Sequence, residues 1–175
     1  MKKNKKKIIV EGRSDKIFLD ALLKFLNIKE KYDVTQSGKR DKCEITNKRT
    51  IKLLIKDAFD DGYEEVIVVI DKETQLKCGV NYDCILELKD EYKKMMKIPK
   101  KVKIVVVDRE IECWYVVWND DLKNYYKDCI SQAFKIYKIN QKSKITLAQR
   151  AVRDMEKILK YKRKNRSFEY FLNIL

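Results

Sequence analysis

Two uninterrupted β-branched runs, Val66-Ile67-Val68-Val69-Ile70 and Ile104-Val105-Val106-Val107, limit the fold more than any other feature of this chain. A strand with one wet face alternates apolar and polar residues. A strand that is apolar throughout has both faces covered, as in a parallel sheet between helices. Each run stops at an aspartate, Asp71 and Asp108. A shorter run, Ile8-Ile9-Val10, stops at Glu11 and leads into a helical pattern whose Phe18, Leu22, Leu23, Phe25 and Leu26 form one broad apolar face. Strand, tight turn and helix follow from this, with Ser14 as the expected cap of a helix over 15–26.

Residues 32–35 fit a second strand, running into the polar turn Ser37-Gly38-Lys39-Arg40. Ile51, Leu54, Ile55, Ala58 and Phe59 lie at helical spacing in a helix expected over 47–60, which Gly62 ends. A further helix is expected over 83–96, with Ile85, Leu88, Tyr92 and Met95 on one side and Pro99 barring its continuation. The alternation implies the α/β class: an open, mostly parallel, four-stranded, Rossmann-like sheet flanked by helices, with right-handed crossovers. Residues 111–118 fit a strand or a helix, and their place after a strand-end acidic cluster favours a helix start. Thr146 is the expected cap of a helix burying Leu147, Ala151, Val152, Met155, Ile158 and Leu159, and Ser167 the cap of a short terminal one. The chain thus divides into an α/β part, 1–118, and a helical extension, 119–175, packed on the same domain.

With 175 residues, four glycines and one proline, a single domain is expected. Such a chain buries roughly 70% of the surface its unfolded form exposes, enough for a core without staples. The apolar runs are too short to span a membrane. The lysine-rich start is followed by only three apolar residues, which is no signal-peptide core, so the cytoplasm is the expected compartment. The five cysteines (Cys43, Cys78, Cys84, Cys113 and Cys129) are odd in number and form no C-x-x-C pair, which fits free, mostly buried thiols. Histidine is absent, which removes Ser-His-Asp and Cys-His nucleophiles and His-ligated zinc. Catalysis is left to carboxylates, lysines, hydroxyls, thiols or a bound metal.

Lysine and arginine number 41 against 27 acidic residues, a net charge of +14, which favours a polyanionic partner, nucleic acid first. Lys and Glu enrichment also marks proteins of hot environments, but balanced enrichment leaves no net charge. Between 135 and 166 there are twelve basic residues and only two acidic ones, Asp154 and Glu156. Such a segment suits salt-dependent phosphate contacts. Tyr125, Tyr126, Tyr137 and Tyr161 interleave with it and either stack on unpaired bases or belong to the core.

The carboxyl ends of the strands are where open α/β sheets bind ligands, and here they carry acids: Glu11, with Asp15 one helical turn on; Asp71, with Glu73; and Asp108, Glu110 and Glu112. Singly, such residues are ordinary helix caps and solvated strand ends. Together on a basic protein they suggest carboxylates crowded around Mg²⁺ or Mn²⁺ for phosphoryl transfer.

Ile8-Ile9-Val10-Glu11-Gly12-Arg13-Ser14-Asp15, followed by Val66-Ile67-Val68-Val69-Ile70-Asp71-Lys72-Glu73, resembles the TOPRIM domain of topoisomerases, primases and several nucleases. The E-G-x-x-D form is most similar to the overcoming-lysogenization-defect (OLD) nucleases and to small standalone TOPRIM-like proteins. Glu112-Cys113-Trp114 and Ser167-Phe168 resemble two further segments that recur in the small proteins. The resemblance covers about residues 7–118. It implies a TOPRIM fold, divalent-metal binding by Glu11, Asp71 and Glu73, with Asp15 and Glu112 as further ligands or water-positioning groups, and nuclease activity on DNA or RNA with two metal ions. It departs from the family in three ways: Glu73 replaces the second aspartate of Asp-x-Asp, Asp15 stands where many OLD nucleases carry glutamate, and no lysine follows Glu112 closely. Lys72, Lys103 or Arg109 are candidates for that lysine's role against phosphate. The fused ATPase of the OLD nucleases is absent, so a separate protein partner supplying an ATPase or recognition function fits. A binding or accessory module with an inactive acidic site is the second reading, and a phosphotransfer domain using Asp71 the third.

Overall fold

The computed structural model describes residues 5–37, 48–72, 90, 94, 101–119, 129–140 and 143–175. Strand β1 (Lys6–Val10) is followed by helix α1 (Arg13–Phe25), β2 (Tyr32–Gln36), α2 (Lys48–Asp60), β3 (Glu65–Asp71) and β4 (Val102–Val107). Among the described residues there follow the α-helices α3 (Glu112–Tyr115), α4 (Cys129–Ile136), α5 (Lys144–Ala151), α6 (Met155–Lys160) and α7 (Arg166–Ile174). The four strands form an open sheet in the order β2-β1-β3-β4, and every pairing is parallel. This is the α/β, Rossmann-like architecture expected from the apolar runs. The helix expected over 83–96 lies outside the described residues except Asp90 and Lys94, both helical.

The strand period of two sorts the runs into two cores. Ile8, Val10, Ile67, Val69, Val105 and Val107 face one way, against Phe18, Leu19, Leu22 and Leu23 of α1 and against Trp114, Leu147, Ala151, Ile158, Phe168 and Phe171 of the later helices. Ile9, Val66, Val68, Ile70, Ile104 and Val106 face the other way, against Ile51, Ile55 and Ala58 of α2. Both sides of the central strands are dry, so no polar residue interrupts them. Gly62 ends α2 at φ 85°, a left-handed geometry that glycine adopts without a Cβ penalty, as Tyr63 N–H donates back to Ala58 O (3.1 Å).

The helix starts differ from expectation. α1 begins at Arg13 with Gly12 as its cap residue, and Ser14 lies in the first turn. Asp15 does the capping instead, its Oδ2 accepting from the Gly12 N–H at 2.9 Å. α5 is capped by Ser143, whose Oγ accepts from Thr146 N–H at 3.3 Å, so Thr146 is inside the helix. The single helix expected after it breaks at a 3-10 turn, Val152–Asp154, before α6. α7 is capped by Asn165, whose Oδ1 accepts from Phe168 N–H at 3.0 Å.

The free-thiol expectation is also corrected for one pair. Cys113 and Cys129 form a disulfide with their Cα atoms 5.2 Å apart, tying α3 to the start of α4. Cys43, Cys78 and Cys84 lie outside the described residues. No described helix is long and apolar enough to cross a membrane.

Candidate functional site

From β1 the chain crosses outward to β2, then returns past β1 to β3 and continues to β4. β1 and β3 are neighbours whose connections leave in opposite directions, which opens a crevice at their carboxyl ends, where ligands of open α/β folds bind. Glu11 directly follows β1 and Asp71 ends β3. The two are joined directly, the Asp71 N–H donating to Glu11 Oε1 at 2.8 Å. Asp71 Oδ1 in turn accepts from Ile111 N–H at 3.0 Å, which draws the segment after β4 across the crevice.

That segment turns sharply. Arg109 has φ 71°, a left-handed conformation that costs a residue with a Cβ about 1–2 kcal/mol. Glu110 and Glu112 follow it, both buried, with Glu112 fully so. The turn is held from behind by Ser167, whose Oγ accepts from Asp108 N–H and from Trp114 Nε1, each at 3.1 Å, and donates to Asn165 Oδ1 at 2.7 Å. Trp114 stacks on Phe168 and Phe171, with ring centroids 4.9 and 5.4 Å apart. The Glu112-Cys113-Trp114 and Ser167-Phe168 segments, far apart in sequence, are therefore one structural unit.

Glu11, Asp15, Asp71 and Glu112 share one electrostatic neighbourhood. Burial pushes Asp71 well above the usual carboxylate range, and the charges of Glu11, Asp15 and Glu112 push it further. Asp15 is raised to about 7, by burial first and Glu112 second, against the pull of its hydrogen bonds from Gly12 N–H and Ser14 Oγ. The counter-charge is Lys144, the first residue of α5. Its Nζ lies 2.9 Å from Glu112 Oε1 and 3.8 Å from Glu110 Oε2. Burial alone would lower its pKa, but Glu112 and Glu110 outweigh burial and hold it raised.

The neutralisation is incomplete. Lys144 reaches only one Glu112 oxygen, Oε1, as an ion pair at 2.9 Å, and Oε2 has no hydrogen-bond partner. The buried hydroxyl of Tyr115, one turn along the same segment, has none either. A buried acceptor without a partner, beside a buried hydroxyl, suits a cation with its waters. The donors are all oxygen, which suits Mg²⁺ or Mn²⁺. Among the described residues no three His, Cys, Asp or Glu side chains stand close enough to enclose an ion. Mg²⁺ does not require that, since it takes one or two carboxylates and completes its shell with water and substrate phosphate.

Of the residues singled out in the sequence, Glu11, Asp15, Asp71 and Glu112 are thus close enough to act on one another's charge, though no three of them enclose an ion, and Glu73 lies outside the described residues. Lys103 is not at this site. Its Nζ pairs with Glu65 (3.1 Å) and donates to Ile174 O (3.2 Å) at the opposite end of the strands. Lys72 directly follows Asp71 and is half-buried. Lys144 was counted only as part of the basic stretch. One signal for it existed: a lysine in the first turn of a helix opposes the helix dipole and needs another reason to be there. Compared with known proteins, the chain matches no family model, no curated sequence and no solved structure.

Proposed function

We propose that this protein is a TOPRIM-like, divalent-metal-dependent nuclease that hydrolyses phosphodiester bonds of nucleic acid in the cytoplasm. The observation that carries the reading is the fully buried Glu112, whose Oε2 lacks a partner while Oε1 pairs with Lys144, in the electrostatic neighbourhood of Glu11, Asp15 and Asp71 at the crevice between β1 and β3. Glu11, Asp71 and Glu112 are the candidates to hold Mg²⁺ or Mn²⁺, one or two of them directly and the others, with Asp15 and Glu73, through its waters. The ion, when bound, supplies a Lewis acid for the phosphate and lowers the pKa of water. The chain's own part is positional. Asp71 N–H fixes Glu11, Ile111 N–H fixes Asp71, and Lys144 offers a cation beside the phosphate's place. Lys144 thereby takes the part for which no lysine close after Glu112 is available. The net charge of +14 draws the substrate in.

The test is to incubate the protein with supercoiled plasmid and with structured RNA in Mg²⁺, Mn²⁺ or EDTA, with Asp71→Asn alongside. Metal-dependent cleavage that falls more than about 100-fold in the mutant supports the reading, being beyond the usual cost of an outer-shell change. The ion pair of Lys144 with Glu112 favours a second reading, an accessory module whose acids are already neutralised and which works with an ATPase or recognition partner. It predicts salt-sensitive retention of nucleic acid without cleavage.

A further inference from the structure

At the break between α5 and α6 lies a cleft of about 340 Å³, lined by Arg153, Asp154, Glu156, Lys157, Lys160 and Tyr161. Its volume is at the lower end of the range for small-ligand sites, which suits a single nucleotide. We propose that this cleft is a subsite for one unpaired nucleotide of the substrate, so that the nucleic acid recognised is single-stranded or carries a single-stranded segment. The inference rests on the nuclease reading and names its substrate class.

Three observations carry it. The first is an aromatic face among cations: the Lys164 ammonium lies 4.7 Å and that of Lys160 5.8 Å from the Tyr161 ring centroid. A base stacks on the open side of such a half-buried ring with sequence-tolerant affinity, while the ammoniums turn to its phosphates, a stronger partner for them than the ring. The second is that one wall is pinned, since Lys157 Nζ sits 3.3 Å from the centroid of the Trp118 ring. The third is connectivity to the acidic site. Trp118 lies just past the segment bearing Glu112, and the cleft follows directly on α5, which starts at Lys144. α5, about 12 Å long at 1.5 Å per residue, separates Lys144 from the break at which the cleft opens. The mixture of charges also fits a base better than a bare phosphate, because the exposed Glu156 can accept from an exocyclic amino group.

The test is fluorescence anisotropy with labelled oligonucleotides in EDTA, where cleavage does not intervene. The probes are a single-stranded DNA 10-mer, the same sequence as RNA, a blunt hairpin duplex, and inorganic polyphosphate as a base-free competitor. The variants are Tyr161→Ala, Tyr161→Phe and Lys157→Ala/Lys160→Ala, each checked for an unchanged melting temperature. We expect Tyr161→Ala to weaken single-strand binding about tenfold or more, Tyr161→Phe to stay within about threefold, and duplex and polyphosphate binding to be unaffected by either. The double lysine variant should weaken every probe. The DNA and RNA arms show which sugar the cleft takes. Unchanged single-strand affinity in Tyr161→Ala, or an equal loss for all probes, overturns the subsite. Asp71→Asn should bind all probes normally. A Tyr161-dependent affinity with no metal-dependent cleavage would overturn the nuclease reading and leave the subsite standing, whereas cleavage abolished by Asp71→Asn but indifferent to Tyr161→Ala would do the reverse.

Discussion

Lys144 and Glu112 set the electrostatics of the acidic site, and their energetics are asymmetric. Glu112 is fully buried and Lys144 mostly so, and removing one partner of a buried pair costs about 3–5 kcal/mol, because the other charge is left uncompensated. Lys144→Met should therefore lower stability by about that amount in urea unfolding, and Glu112→Leu/Lys144→Met should restore most of it. If Glu112 also binds a divalent ion, Mg²⁺ should raise the melting temperature of Lys144→Met more than that of the wild type, since the ion replaces the missing cation. Equal shifts would mean that Lys144 and the ion do not share Glu112. Lys144 escaped the sequence because its only oddity was its place against a helix dipole, whereas Glu11 and Asp71 were readable from the strands they end.

At the scale of elements, the terminal helix α7 acts as a clamp on the turn after β4. Ser167 gives one oxygen to two buried donors, Asp108 N–H and Trp114 Nε1, so Ser167→Ala should cost about 1–3 kcal/mol. It should also impair metal-dependent cleavage, although Ser167 touches no ligand, because Glu110 and Glu112 lie on the clamped segment. Urea melts paired with cleavage assays check this; a destabilised variant with undiminished activity at low temperature would show that the clamp does not position the acids. Ser167 looked like a helix cap, and its residue type was right for that, but its hydroxyl is claimed by tertiary donors while Asn165 takes over the cap. The caps expected at Ser14 and Thr146 lie two and three residues earlier, at Gly12 and Ser143, for a similar reason: several cap-competent residues stand at each helix start, and local propensity does not choose among them. The Cys113–Cys129 bond was hidden because only the fold brings those two residues together.

For the whole molecule, the strands were readable because β-branched runs can be buried on both faces only in a covered parallel sheet, and the strand order then placed the acids at one crevice. What the order does not fix is protonation, and this leads to a pH prediction. Asp15 rises from 3.8 to about 7 and Asp71 is raised well above its usual range, in both cases by burial first. Without metal, the folded chain keeps protons on these carboxyls that the unfolded chain has released, so their contribution to stability is present in acid and is lost as pH rises toward neutrality. A divalent ion favours the ionised forms and expels those protons. Mg²⁺ should therefore change the melting temperature little near about pH 5 and raise it by about 3 °C or more near about pH 8. A Mg²⁺ effect that is flat across this range would separate these acids from metal binding.

The proposed function requires that the acids at the ends of β1, β3 and β4 hold a divalent ion. Titration of the protein with Mn²⁺, followed by the electron paramagnetic resonance of the free ion, reads this directly. Saturable binding in the wild type that is weakened at least about tenfold by Asp71→Asn, with the melting temperature of the mutant unchanged or raised, is the predicted result. Binding that is absent from the wild type, or equal in the two proteins, would contradict it.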